Sequence, residues 1–138
     1  MSRGPLPIAL GLLLVSIVAS ASFAQEGTLE AGTITSPALG GETKAFFVYL
    51  PPSYTTSDKE YPSFYALHRW LANESSLIDM RFTMDRMTQN GEIGEMIAVF
   101  PDGDDSRYVG DYEPYITRDL VQYVDAHYRA IPDRNAEG

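Results

Sequence analysis

Two short runs that are apolar nearly throughout, SFYAL at residues 63–67 and MIAVF at 96–100, restrict the folds open to this chain more than any other feature. A strand with one wet face alternates apolar and polar residues, whereas a continuous apolar run is buried on both faces, as in a parallel sheet covered by helices. Each run is followed by helical spacing. After the first, Leu77, Met80, Met84 and Met87 recur on one face, with Ser75 or Ser76 to cap the start and Asn90-Gly91 to stop it. After the second, Tyr112 to Tyr128 is the strongest helical stretch. Pro114 sits near its first turn, where a missing N–H costs little, and Ile116, Leu120, Tyr123, Val124 and His127 line one face. Upstream, KAFFVYL at residues 44–50 is β-branched and aromatic and ends at Pro51-Pro52, which cannot donate to a ladder. Thr33-Ile34-Thr35 offers a further short strand within a Gly/Thr/Ser/Pro-rich segment. Strands alternating with helices imply an α/β architecture, a mostly parallel sheet flanked by helices.

The amino terminus reads differently. Arg3 supplies a positive charge, residues 8–19 are an apolar run broken only by Gly11 and Ser16, and Ala19-Ser20-Ala21 and Ser22-Phe23-Ala24 are small-x-small sites. This is the pattern of a secretory signal peptide over residues 1–24, with cleavage after Ala24 and Gln25 as the mature terminus. The alternative, an uncleaved anchor, has a short apolar run against the roughly 20 residues a membrane span needs. The expectation is a secreted chain, periplasmic or extracellular, with no stable membrane span after cleavage. Residues 25–138 form one domain at most, since 138 residues allow no more. Cysteine is absent. That removes disulfides, thiolate nucleophiles, Cys-ligated zinc and a lipid-modified N-terminal Cys. A formal net charge of −9 argues against nucleic acid as a partner, because phosphates must be met by Lys and Arg.

Four ordered segments, KAFFVYLPPSY, YPSFYALHRW, MIAVFPDGDDSRY and YEPYITRDLVQYVDAHYR, together resemble the N-terminal half of the putative esterase family. That family includes S-formylglutathione hydrolase, the antigen 85 mycolyltransferases, feruloyl and acetylxylan esterases and enterochelin esterases. The resemblance runs from about Lys44 to Arg134 and implies an α/β-hydrolase fold with a Ser-Asp-His triad and no cofactor. It implies a small-molecule or carbohydrate ester as substrate, with hydrolysis and acyl transfer equally open. It also places His68, Arg69 and Trp70 on the loop that gives a backbone N–H to the oxyanion hole, where the donor must sit about 3 Å from the oxygen that becomes negative. Glycine is usual where Arg69 stands. Two readings of Arg69 stay open: a positive charge beside the oxyanion, or a degraded loop. His68, closing a buried strand, reads as a structural hydrogen-bonding residue, because the family's general-base histidine lies near the C-terminus.

The nucleophile elbow of this fold is Gly-x-Ser-x-Gly on a tight strand-to-helix turn. None of the 11 glycines is followed two positions later by serine and then by glycine. By resemblance the elbow and the rest of the triad fall beyond Gly138. The expectation is therefore a chain cut short before its nucleophile, with no catalytic residue of its own and one unpaired sheet edge. Asp102 and Tyr108, on the loop after the third strand, are candidates to line the substrate cleft. Asp102, Asp104 and Asp105 do not match the spacing of a calcium loop, so no metal is expected. Asn73-Glu74-Ser75 is a sequon that reads as a chance match. The competing reading is a non-catalytic secreted module that binds carbohydrate or a partner through Trp70, Tyr108, Tyr112 and Tyr115.

Overall fold

A computed structural model of the chain describes residues 3–5, 25–67, 74–104 and 106–132. Most of the segment read as a signal peptide, and residues 68–73, lie outside these residues. Within them the order is β1 (Thr28–Ser36), a 3-10 turn (Pro37–Leu39), β2 (Glu42–Leu50), a 3-10 turn (Pro52–Thr55), β3 (Ser63–Tyr65), α1 (Glu74–Gln89) and β4 (Ile97–Pro101). A helical stretch follows, made of α2 (Tyr112–Pro114), a π-helical turn (Tyr115–Leu120) and α3 (Val121–His127).

The described strands form one sheet in the order β1-β2-β4-β3. It is mixed rather than mostly parallel. β1 pairs antiparallel with β2 and β2 antiparallel with β4, while β3 and β4 are parallel. The cause lies in the connections. β1 and β2 are joined by a tight turn in which Gly40 and Gly41 take φ of 66° and 87°, which glycine tolerates. A connection that short can only return the chain antiparallel. The parallel pair is the one that has a helix, α1, in its crossover.

Alternation along β2 and β4 divides the core in two. Phe46, Val48, Leu50, Ile97 and Val99 face Tyr115, Ile116, Leu120 and Val124 of the C-terminal helical stretch. On the other face Tyr49, Ala98 and Phe100 pack with Met84 of α1. Both faces of the central strands are thus covered, as the unbroken run MIAVF predicts. The run SFYAL behaves differently: β3 is only half-buried, because it lies at the sheet edge of the described residues.

The helix faces also depart from the expected pattern. In α1 the inward residues are Met84 and Asp85, while Ile78, Met80 and Phe82 are exposed. In the C-terminal stretch the π-helical turn widens the inward arc, so that Tyr115, Ile116, Asp119 and Leu120 are all buried. Asp119 is stabilised there by hydrogen bonds from Ser36 Oγ (2.6 Å) and the Ala38 N–H (3.0 Å), which tie the helix to the first turn. His127, read as a packed or partly exposed helix residue, is exposed and stacks on Tyr123 at 3.9 Å.

Candidate functional site

Because β3 and β4 are parallel, the loops that follow them leave from the same end of the sheet. Ala66 N–H donates to Val99 C=O at 2.9 Å, carrying the pairing to the start of the first loop. The antiparallel β2 brings its beginning to that end as well: Phe46 lies opposite Pro101, and Asp102 N–H donates to Ala45 C=O at 3.2 Å. In open α/β sheets ligands bind outside the carboxyl ends of the strands. Here that edge is formed by Ala66-Leu67, the segment from Asp102 to Asp111, and Lys44.

The second loop is stapled into a strained shape. Asp104, Arg107 and Tyr108 have φ of 47°, 55° and 58°. Aspartate visits this left-handed region readily, but arginine and tyrosine do so at a cost of roughly 1–3 kcal/mol each. The loop's own contacts offset that cost. Asp102 Oδ1 accepts from Asp104 N–H (3.0 Å), Ser106 N–H donates to Gly103 C=O (3.1 Å), and Tyr108 N–H donates to Ser106 Oγ (3.0 Å). The Tyr108 hydroxyl donates back to Pro101 C=O at 3.1 Å. Its ring lies against Gly103 so closely that a Cβ there would enter it.

Lys44 anchors the loop from the sheet. Its Nζ pairs with Asp104 and lies 3.4 Å from Glu42, and the Tyr112 hydroxyl donates to the same Asp104 oxygen at 2.7 Å. The Lys44 side chain is 13% exposed and its ammonium stands 5.5 Å from the Tyr112 ring centroid. The hydrogen bond to Asp104 raises the Lys44 pKa well above its ordinary value, and the same bond, with that from Tyr112, holds Asp104 below the usual carboxylate range. Burial, then the neighbouring Asp104, raises Tyr112. Beneath them Tyr115 is fully buried, and burial followed by the charge of Asp102 raises its hydroxyl. Among the described residues that hydroxyl has no hydrogen-bond partner.

His68, Arg69 and Trp70 lie outside the described residues; Ala66-Leu67, just before them in the chain, are at the edge just described. Asp102 and Tyr108 come together on that edge. Both are half-buried and both brace the loop. The aromatic face read from Tyr108, Tyr112 and Tyr115 is not an open surface. Tyr115 is entirely buried, and the other two direct their hydroxyls into the loop's own bonding. Trp70, the fourth residue of that face, lies outside the described residues. Lys44 was not legible in the sequence as a site residue, since its partner Asp104 is 60 positions away.

Among the described residues no serine is hydrogen-bonded to a histidine. Ser36 bonds Asp119, Ser53 bonds Glu95 and Tyr61, and the His127 ring bonds the Tyr123 carbonyl. Among the described residues no three His, Asp or Glu side chains are grouped to hold a metal, and no helix is long and apolar enough to cross a membrane.

A family model described as "Putative esterase" matches residues 36–138. Among solved structures, the chain is similar to a ferulic acid esterase at 27% identity and a TM-score of 0.68, over 80% of this chain and 47% of that one. It is similar to a mutant of the feruloyl esterase module from Clostridium thermocellum complexed with sinapinate, at 26% identity and a TM-score of 0.61, over 77% of this chain and 38% of that one. A ferulic acid esterase from Anaeromyces mucronatus in complex with ferulic acid shares the fold at 21% identity and a TM-score of 0.61, over 78% and 45%. The chain thus spans less than half the length of each of these structures.

Proposed function

The chain belongs to the putative esterase family, and from that premise we propose that it forms the N-terminal half of a secreted serine esterase whose substrate is a hydroxycinnamoyl or other small acyl ester of a carbohydrate. The single observation that carries this reading is the family match over residues 36–138, reinforced by 27% identity to a ferulic acid esterase across 80% of the chain. In such an enzyme a serine Oγ attacks the ester carbonyl, the alcohol leaves with a proton, and water releases the acid from the acyl-enzyme. The loop of His68, Arg69 and Trp70 gives a backbone N–H to the oxyanion. The braced segment from Asp102 to Tyr108 forms the neighbouring wall of the cleft, and its rigidity serves substrate positioning.

These 138 residues contain no Gly-x-Ser-x-Gly. The 138-residue chain on its own is therefore expected to be inactive or nearly so on esters, retaining at most weak residual catalysis from binding and the oxyanion loop. The test compares this chain with the polypeptide encoded when its source DNA is read past the Gly138 codon, in all three frames. Both are assayed on methyl ferulate and treated with a fluorophosphonate that labels activated serine. Hydrolysis and a labelled serine only in the longer product support the reading. Labelling of the 138-residue chain would overturn the placement of the nucleophile. A longer product with no elbow and no hydrolysis would overturn the esterase itself.

A further inference from the structure

Asp85 is a carboxylate inside the molecule, 4% exposed, on the inward face of α1. Its Oδ1 accepts from the Tyr49 hydroxyl (2.7 Å) and from the Gly27 N–H (2.9 Å). Its Oδ2 is buried and has no hydrogen-bond partner among the described residues. A desolvated carboxylate oxygen left unpaired is costly and calls for a donor. Arg81, one turn earlier, does not supply it. Its Nη1 reaches Glu26 at 3.7 Å, its guanidinium lies over the Phe82 ring, and its Nε is itself buried without a partner.

The chain that delivers Gly27 to this carboxylate is the start of the mature protein as the small-x-small site at Ser22-Phe23-Ala24 defines it. Gly27 is buried and lies flat on Tyr49, where a Cβ would enter the ring, so the segment is pinned two residues after Gln25. Two residues span at most ~7 Å. A nitrogen at Gln25 can therefore fold back onto Oδ2 while Gly27 keeps its bond to Oδ1. Before cleavage that nitrogen is a neutral amide continuing into the leader. After cleavage it is an ammonium with three donors.

We propose that removal of the leader after Ala24 creates the missing partner of Asp85: the Gln25 ammonium docks on Oδ2 and locks the start of β1 onto α1. Maturation then completes the fold, and the site is a receptor for the chain's own processed terminus. This holds or fails independently of the esterase reading, since it involves no residue of the candidate cleft.

The test uses the secreted, processed protein. Mass analysis of its N-terminal peptide is expected to give a free Gln25. Uncyclised glutamine is expected too, because an ion-paired ammonium is a poor nucleophile for pyroglutamate closure. The α-amine of the folded protein is expected to react with an acetylating reagent at least about tenfold more slowly than in unfolded chain, a retardation equivalent to 1.4 kcal/mol or more. Acetylation in denaturant near pH 6.5, which modifies the α-amine (ordinary pKa about 8) and spares Lys44 and Lys59 (about 10.4), followed by refolding, is expected to lower the melting temperature by about 5–10 °C. The same acetylation of Asp85→Asn is expected to have no further effect. The asparagine keeps the acceptor for Tyr49 and Gly27, and the reactivity measurement needs no variant. A mature terminus at another residue, a pyroglutamate, an α-amine that reacts at the unfolded rate, or an unchanged melting temperature after acetylation would each overturn the proposal.

Discussion

At the scale of single residues, carboxylates whose surroundings shift their titration set how this protein responds to acid. Burial alone would raise the Asp119 carboxyl, but hydrogen bonds from Ser36, Ala38 and Arg118 outweigh it and hold it below the usual range; Asp104 is held low by Lys44 and Tyr112. A carboxyl with a lowered folded pKa binds fewer protons folded than unfolded, so its contribution is present above the ordinary value of about 4 and is lost as pH falls through the folded value. The melting temperature is accordingly expected to fall as pH drops from about 5 towards 2. Asp119→Asn should flatten that slope, and an equally steep acid limb in the variant would refute the assignment. Asp119→Ala also leaves the Ser36 hydroxyl and Ala38 N–H unpaired and is expected to cost about 2–3 kcal/mol by urea unfolding. Asp125 has the opposite sign. Burial raises its carboxyl, so its ionised form destabilises the fold above the folded pKa and that penalty is relieved as pH falls. Asp125→Asn should therefore raise the melting temperature at pH 7, with the gain vanishing once the wild-type group is protonated.

At the scale of elements, a glycine decides how closely β1 and β2 approach. Gly32 of β1 lies opposite Phe46 of β2, and the Phe46 ring covers the place where a Cβ would stand. Phe46 cannot move aside easily, being 1% exposed and edge-on to Tyr123 at 5.6 Å. Gly32→Ala is expected to cost about 1–3 kcal/mol in urea unfolding through overpacking. Gly94→Ala, where a Cβ meets nothing, should change stability little. Equal effects from the two would show that backbone entropy rather than the Phe46 contact governs β1. The π-helical turn is the other decisive element. Its wider arc turns Tyr115 and Asp119 inward together, an outcome that a 3.6-residue reading of YITRDL does not give. The same reading left His127, one turn beyond Val124, packed or partly exposed, and the structure exposes it.

At the scale of the whole molecule, apolar surface remains uncovered. Ile78 and Phe82, one turn apart on α1, are 46% and 51% exposed, and β3 pairs only with β4 among the described residues. Large apolar side chains grouped on one helix face favour association, and so does a strand edge without a partner. Sedimentation velocity of the 138-residue chain is expected to show mass rising with concentration, and Ile78→Lys with Phe82→Lys should reduce it. A monomer at all concentrations would count against these surfaces as association sites.

The strands at 44–50 and 96–100, the two helices and the alternation of elements were all legible in the sequence, because burial on two faces and burial on one stripe leave different periodicities. So was the family, through four ordered segments, and with it the expectation that the loops after β3 and β4 border a site. That these residues contain no Gly-x-Ser-x-Gly was likewise read from the sequence alone. What only the tertiary structure decided was the direction of each strand pair, the edge position of β3, the inward turn of Asp85 and Asp119, and the bracing of the Asp102–Tyr108 loop by Lys44. Each of these depends on contacts between residues tens of positions apart: Lys44 with Asp104, Ser36 with Asp119, Tyr49 with Asp85. Local periodicity records which face is apolar, but not which distant partner makes a buried charge tolerable.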